Sequence, residues 1–219
     1  MLVTYLQNDG FVIELESHIL LFDYYMGSLP IFDTNKPLYI FVSHKHRDHY
    51  NPVIYTIKHP TIQYILSDDV DGKGIKIGPN QSIQVDDIKI QTLLSTDLGV
   101  AFIVEVENKM IYHSGDLNWW HWEGEPEDDN QWQETTFKQE INKIKDISFD
   151  LMMIPLDPRL KKSAPLAIDY ILQNVNTKYV LPMHCLLHLK TMNRYLQLAP
   201  LNKYSNILKI DTKGQTFVL

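Results

Sequence analysis

The sequence predicts a layered α+β fold, in a single domain covering residues 1–219. Three observations carry this reading. A length of 219 residues suits one domain with a sizeable core, and 44% hydrophobic with 21% charged residues is an ordinary globular balance. The first half reads as strand after strand with Gly, Asn and Asp turns between, and the second half alternates apolar strands with helical stretches. Two sheets packed face to face with helices outside account for that order, which periodicity alone does not distinguish from other α/β layerings.

Residues 2–6 and 11–15 are apolar and β-branched around Asn8-Asp9-Gly10, whose residue types tolerate positive φ, so they predict a hairpin. A strand at 19–22 ends at Asp23. The continuous apolar run 38–42 predicts a strand covered on both faces, feeding directly into Ser43-His44. Asn51 before Pro52 is an N-cap and first-turn pair, predicting a short helix to about Lys58. Further strands are expected at 63–66, 75–77, 83–85, 88–94, 101–106 and 110–113, with a tight hairpin at Asn108-Lys109. Helices are expected at 131–145, 165–173 and 186–196, alternating with strands at 151–154 and 179–182.

The densest chemical signal is Ser43-His44-Lys45-His46-Arg47-Asp48-His49. His44 and His46 are two apart, so an extended backbone turns both rings to one side, where they can share an ion. Asp48 and His49 are adjacent, and a turning backbone lets them reach a second position nearby. The bland counterpart is a solvated polar loop. Its place at the end of a buried strand favours function, because binding residues concentrate on loops held by a rigid scaffold.

This segment resembles the H-x-H-x-D-H signature of the metallo-β-lactamase superfamily, with all four marked positions filled. Two distant matches accompany it. Ser114-Gly115-Asp116 after a strand looks like the family's glycine-aspartate turn, which makes Asp116 the candidate bridge between two metals, where the alternative is a plain turn aspartate. Met183-His184 looks like the family's last ligand at a late strand end; alone, that histidine would read as structural. Asp23 resembles an early aspartate that supports the metal loop by hydrogen bonding, against the alternative of a solvated strand-end aspartate. The resemblance runs from Asp23 to His184 and is nearest to ascorbate-6-phosphate lactonase-like proteins. It implies a four-layer αββα sandwich holding one or two divalent transition-metal ions on His44, His46, Asp48, His49, Asp116 and His184, with zinc expected first and manganese or iron as alternatives.

One position departs from the family pattern. Where a third histidine of the first site belongs, the chain reads Leu94-Ser95-Thr96-Asp97-Leu98-Gly99. Asp97 is the candidate replacement, and a carboxylate there would harden the site towards manganese or iron. The alternatives are a weak or empty first site, and a turn aspartate without metal contact.

The resemblance implies hydrolysis by a metal-bound hydroxide near Asp116, with Asp48 orienting it or accepting a proton. The expected substrate is a small lactone, ester or phosphoester. All four tryptophans, Trp119, Trp120, Trp122 and Trp132, follow Asp116 closely. Trp119 and Trp120 are candidate substrate-binding walls, or else members of a cluster pinning a long loop. Arg159 could grip a carboxylate or phosphate, or equally pair with Asp157. Cys185, His113 and His188 read as packing residues.

The formal net charge of -7 weighs against nucleic acid as main partner, leaving a nucleic-acid phosphodiesterase as one alternative and a metal-binding protein without catalysis as another. One cysteine permits no internal disulfide, so a reducing cytoplasmic setting is expected. No secretory leader or membrane span is expected, since no apolar run approaches the roughly 20 residues that a span requires. The oligomeric state is not legible.

Overall fold

The hairpin at the start of the chain forms as expected. In a computed structural model describing residues 1–219, β1 (Leu2–Gln7) and β2 (Gly10–Glu14) pair antiparallel. Asn8 takes a left-handed φ of 54° in their turn, a conformation asparagine tolerates better than most residues. Then come β3 (Ile19–Phe22), β4 (Leu38–Val42), a 3-10 turn at Pro52–Thr56, β5 (Ile62–Ser67) and β6 (Ile75–Ile77). The 3-10 turn stands where a short helix was expected; Asn51 accepts the Val53 N–H as its cap. The strands β7 (Ser82–Val85), β8 (Ile88–Leu94), β9 (Val100–Val106) and β10 (Lys109–His113) follow. The β9–β10 turn centres on Glu107 and Asn108, both at positive φ, one residue earlier than the sequence suggested.

The remainder comprises α1 (Glu127–Asn142), β11 (Ser148–Pro155), a 3-10 segment at Pro158–Ser163, α2 (Leu166–Asn174), β12 (Asn176–Met183), α3 (Leu189–Tyr195), a 3-10 turn at Leu201–Lys203 and β13 (Thr216–Val218). The first sheet has seven strands in the order β13-β1-β2-β3-β4-β5-β6, and the second has six in the order β12-β11-β10-β9-β8-β7.

The sheets meet face to face. Phe41 of β4 packs edge-on to Phe102 of β9 with centroids 5.3 Å apart, and Phe22 of β3 stacks on His113 of β10. On the far side of the second sheet, Phe137 and Ile141 of α1 and Ile168 and Ile171 of α2 join this core. The outer face of the first sheet carries Leu21, Ile40, Val42 and Leu66, covered by Ile54 and the partly buried Phe32 and Ile57. That outer layer is a 3-10 turn and irregular chain, which suffices to bury β4 on both faces.

Strand direction places the site. Strands β3, β4 and β5 run parallel, as do β10, β11 and β12. Parallel strands deliver their carboxyl ends to one edge, and in open α/β sheets ligands bind beyond those ends. Here both sheets do so on the same side of the sandwich.

Candidate metal centre

Each predicted ligand lies just beyond a strand end: His44 after β4, Asp97 after β8, Asp116 after β10 and His184 after β12. Two glycines let the loops close on one another. A Cβ on Gly99 would lie 2.0 Å from the Ser43 carbonyl oxygen, and one on Gly115 would lie 2.7 Å from the Ser43 Cβ; both residues have positive φ. The Val100 N–H donates to the Ser43 carbonyl at 3.0 Å, tying the β9 start to the histidine loop.

The side chains form two adjoining groups that share Asp116. In the first, His44 Nε2 lies 3.0 Å from His46 Nδ1 and 3.4 Å from Asp116 Oδ2, and His46 Nδ1 lies 3.6 Å from Asp97 Oδ2. In the second, Asp116 Oδ1 lies 3.3 Å from both His49 Nε2 and His184 Nε2. Asp48 Oδ2 completes that side, 3.7 Å from His184 Nε2 and 3.9 Å from His49 Nε2. Asp116 thus aims one oxygen at each group, the disposition of a bridging carboxylate. Asp97 falls where the sequence pattern lacks its histidine.

The donor set fits divalent ions. His49 Nε2 and Asp116 Oδ1 are buried without a hydrogen-bond partner, a costly state for polar atoms unless something else satisfies them. Ligands held about 2.0–2.2 Å from one ion are themselves separated by roughly 3–4 Å, which matches the spacings above.

The opposite faces of the rings are held in place. Asp23 Oδ2 accepts from His49 Nδ1 at 2.8 Å and from the Ser43 hydroxyl at 2.5 Å, while Oδ1 accepts the Ser43 N–H. Asp157 Oδ2 stands 3.2 Å from His184 Nδ1. These carboxylates fix which ring nitrogen of His49 and of His184 faces the Asp116 carboxylate. Sequence reasoning missed this role for Asp157, although its place two residues past a site-facing strand was the available signal. It also missed Asn8, whose amide donates to Asp48 Oδ2 at 3.3 Å and whose Oδ1 accepts the Leu186 N–H. His184 and Leu186 both adopt positive φ, strain of a kind that clusters at functional sites.

Electrostatics follow the same geometry. Burial opposes charge on His49 and His184, but carboxylates outweigh it: Asp116 foremost holds His49 well above its ordinary pKa, and Asp9 with Asp116 lifts His184 to about 9. Burial, with repulsion from His49, drives His44 down to about 3, so its ring is neutral. Burial raises the Asp116 carboxyl less than the facing histidines lower it, so it stays ionised. Asp97 is shifted up by burial and by Asp116.

A cleft of about 380 Å³ opens on the predicted ligands His46, Asp48, Asp97, Asp116 and His184. Its walls include Trp120, Trp122 and Arg159. Trp120 donates its indole N–H to the Asp116 carbonyl and lies edge-on to His184, with Trp122 stacked behind it. Trp119 is placed elsewhere: its ring packs against Phe137 and Tyr170 under the Lys138 ammonium. Arg159 forks onto Asp157, the pairing reading, while its side chain borders the cleft. His113 is a buried core residue that hydrogen-bonds the Asp9 carbonyl. Cys185 is buried, which pushes its thiol up to about 11. No helix is long and apolar enough to cross a membrane.

No protein-family model matches the sequence, and no curated protein does. Solved structures are nevertheless similar along the whole chain. The metallo hydrolase Igni18 from Ignicoccus hospitalis is 14% identical with a TM-score of 0.68, over 100% of this chain and 98% of that one. A possible metal-dependent hydrolase from Veillonella parvula is 13% identical with a TM-score of 0.65, over 100% and 99%. The metallo-β-lactamase fold protein YhfI from Bacillus subtilis is 11% identical with a TM-score of 0.60, over 99% of each chain. The chain has the metallo-β-lactamase fold.

Proposed function

We propose that residues 1–219 form one domain that acts as a metal-dependent hydrolase on a small lactone, ester or phosphoester. The observation that carries this is the meeting of four imidazoles with Asp48, Asp97 and Asp116 around unpartnered buried atoms on the floor of an open cleft. Divalent ions held there would supply Lewis acidity and draw the pKa of water towards neutrality. Similarity to proteins described as metal-dependent hydrolases supports the reaction class; the sequence resemblance to ascorbate-6-phosphate lactonase-like proteins supports the substrate class.

The chain's own residues then have distinct tasks. Asp116 spans the two positions. Asp48 is one-third exposed to the cleft, so its Oδ2, steadied by Asn8, is placed to orient water or take up a proton. Trp120 and Trp122 exclude water on one side, and the outward edge of Arg159 offers donors to a carboxylate or phosphate. No side-chain nucleophile is required, and the buried, protonated Cys185 is not one.

Nucleic acid is disfavoured as substrate by the net charge of -7, and the lone cysteine favours a reducing, cytoplasmic setting. Metal analysis of purified protein, with lactone, ester and phosphodiester assays before and after chelation, tests the reading. At least one ion per chain is expected, with activity that chelator removes and added metal restores. Bound metal with no turnover of any such substrate would leave a binding protein instead.

A further inference from the structure

The β1–β2 turn brings a carboxylate to the metal centre that neither the H-x-H-x-D-H pattern nor the cleft accounts for. Asp9 is completely buried. Neither of its oxygens has a hydrogen-bond partner. Its Oδ2 lies 3.5 Å from His49 Nε2, and single ligand atoms of Asp9, His49 and His184 fall within 4.8 Å of one another. A carboxylate buried without a hydrogen-bond donor is costly unless positive charge faces it. One that shares an ion with two imidazoles is not.

The turn is rigidly placed for such a role. Tyr5 Oη accepts the Asn8 N–H at 2.9 Å, the Asn8 carbonyl accepts the His184 N–H, and the Asp9 carbonyl accepts from His113 Nε2 at 2.8 Å. Through Asn8 the same turn holds Asp48 and Leu186. Asp9 therefore approaches from the buried side, while Asp48 approaches from the cleft.

We propose that Asp9 is a fifth ligand of the second metal position, alongside Asp48, His49, Asp116 and His184. This rests on the metal-centre part of the reading above. Five protein ligands, three of them carboxylates, exceed the tetrahedral set that zinc prefers and suit manganese(II) or iron(II). Asp9, Asp48, Asp97 and Asp116 together would also neutralise two divalent ions, with four neutral imidazoles completing the set.

The test uses the full chain stripped by chelator and titrated with manganese(II), free ion being followed by electron paramagnetic resonance. Two ions are expected on the native protein. Asp9→Asn and Asp9→Ala should keep the first at native affinity and bind the second at least tenfold more weakly. Without metal, both variants should still unfold cooperatively, so that a lost second ion is not a lost fold. Second-ion affinity within twofold of native in both variants overturns the assignment and leaves the metal centre standing; a native protein that binds no ion overturns both. Cobalt(II) spectra of the native protein give a check independent of folding in the variants: intense tetrahedral bands at both positions refute Asp9 as ligand.

Discussion

Asp23 Oδ2 accepts hydrogen bonds from both His49 Nδ1, at 2.8 Å, and the Ser43 hydroxyl, at 2.5 Å. One buried carboxylate thus sets the tautomer of a candidate ligand and the position of the strand end that carries His44. Removing such support typically weakens metal binding about 10–100-fold. Asp23→Ala should lower affinity on that scale, read by competition with a chromophoric chelator. Affinity within twofold of native would mean that packing alone orients His49.

Asp97 occupies the place of a histidine, and its side chain is nearly half exposed beside His46. A carboxylate favours harder ions than an imidazole does. Asp97→His should therefore shift preference towards zinc over manganese, about tenfold or more in a competition measured by elemental analysis. An unchanged preference would show that Asp97 does not ligate.

The histidine loop, Asp116 and His184 were legible in the sequence because ligand chemistry demands particular residue types at strand ends, and strands are readable from apolar runs. Asp9 and Asp157 were not legible. Each occupies a turn position where aspartate is common for local reasons, and what sets them apart is burial against chain elements distant in sequence: Asp9 beside His49 and His184, and Asp157 behind His184. Trp119 shows the converse. Its neighbour Trp120 faces the cleft, but successive residues of irregular chain point different ways, so the cluster signalled an aromatic loop without saying which ring lines the site. The final strand, β13, escaped detection because three residues that mostly face solvent carry little pattern.

Gly99 is where the loop bearing Asp97 passes the histidine strand. An added methyl would meet the Ser43 carbonyl at 2.0 Å and His44 Cβ at 2.6 Å, at a φ of 67°. Gly99→Ala should cost about 2–4 kcal/mol through overpacking and backbone strain. It should also weaken the first ion more than the second, because Asp97 moves with the loop. A thermal melt and a metal titration of the same preparation check both parts.

Arg159 uses Nε and Nη2 on Asp157, and its guanidinium carbon lies 5.6 Å from the Trp122 ring centre. Arg159→Lys keeps a cation for Asp157 but loses the fork. KM for an anionic lactone or phosphoester should rise about tenfold, while a neutral ester of similar size shows little change. Equal losses on both substrates would instead assign Arg159 to loop shape through Asp157.

Without metal, protons take the place of ions between these carboxylates and imidazoles. Burial disfavours charge on His184, yet Asp9 and Asp116 raise its folded pKa to about 9, above the ordinary value of 6.5; burial lifts Asp9 to about 7. A group with a raised folded pKa stabilises the fold below its unfolded pKa and loses that contribution as pH climbs through the folded value. Both groups therefore act in the same direction, Asp9 losing its contribution between its ordinary 3.8 and about 7 and His184 losing its own between 6.5 and about 9, so the decline above pH 6.5 belongs mainly to His184. The stripped protein should melt at progressively lower temperature from pH 6.5 to about 9, whereas metal-loaded protein should show little such decline, because an ion then balances the carboxylates at every pH in that window. Parallel melting curves for the two forms would show that no ion takes up the role of those protons.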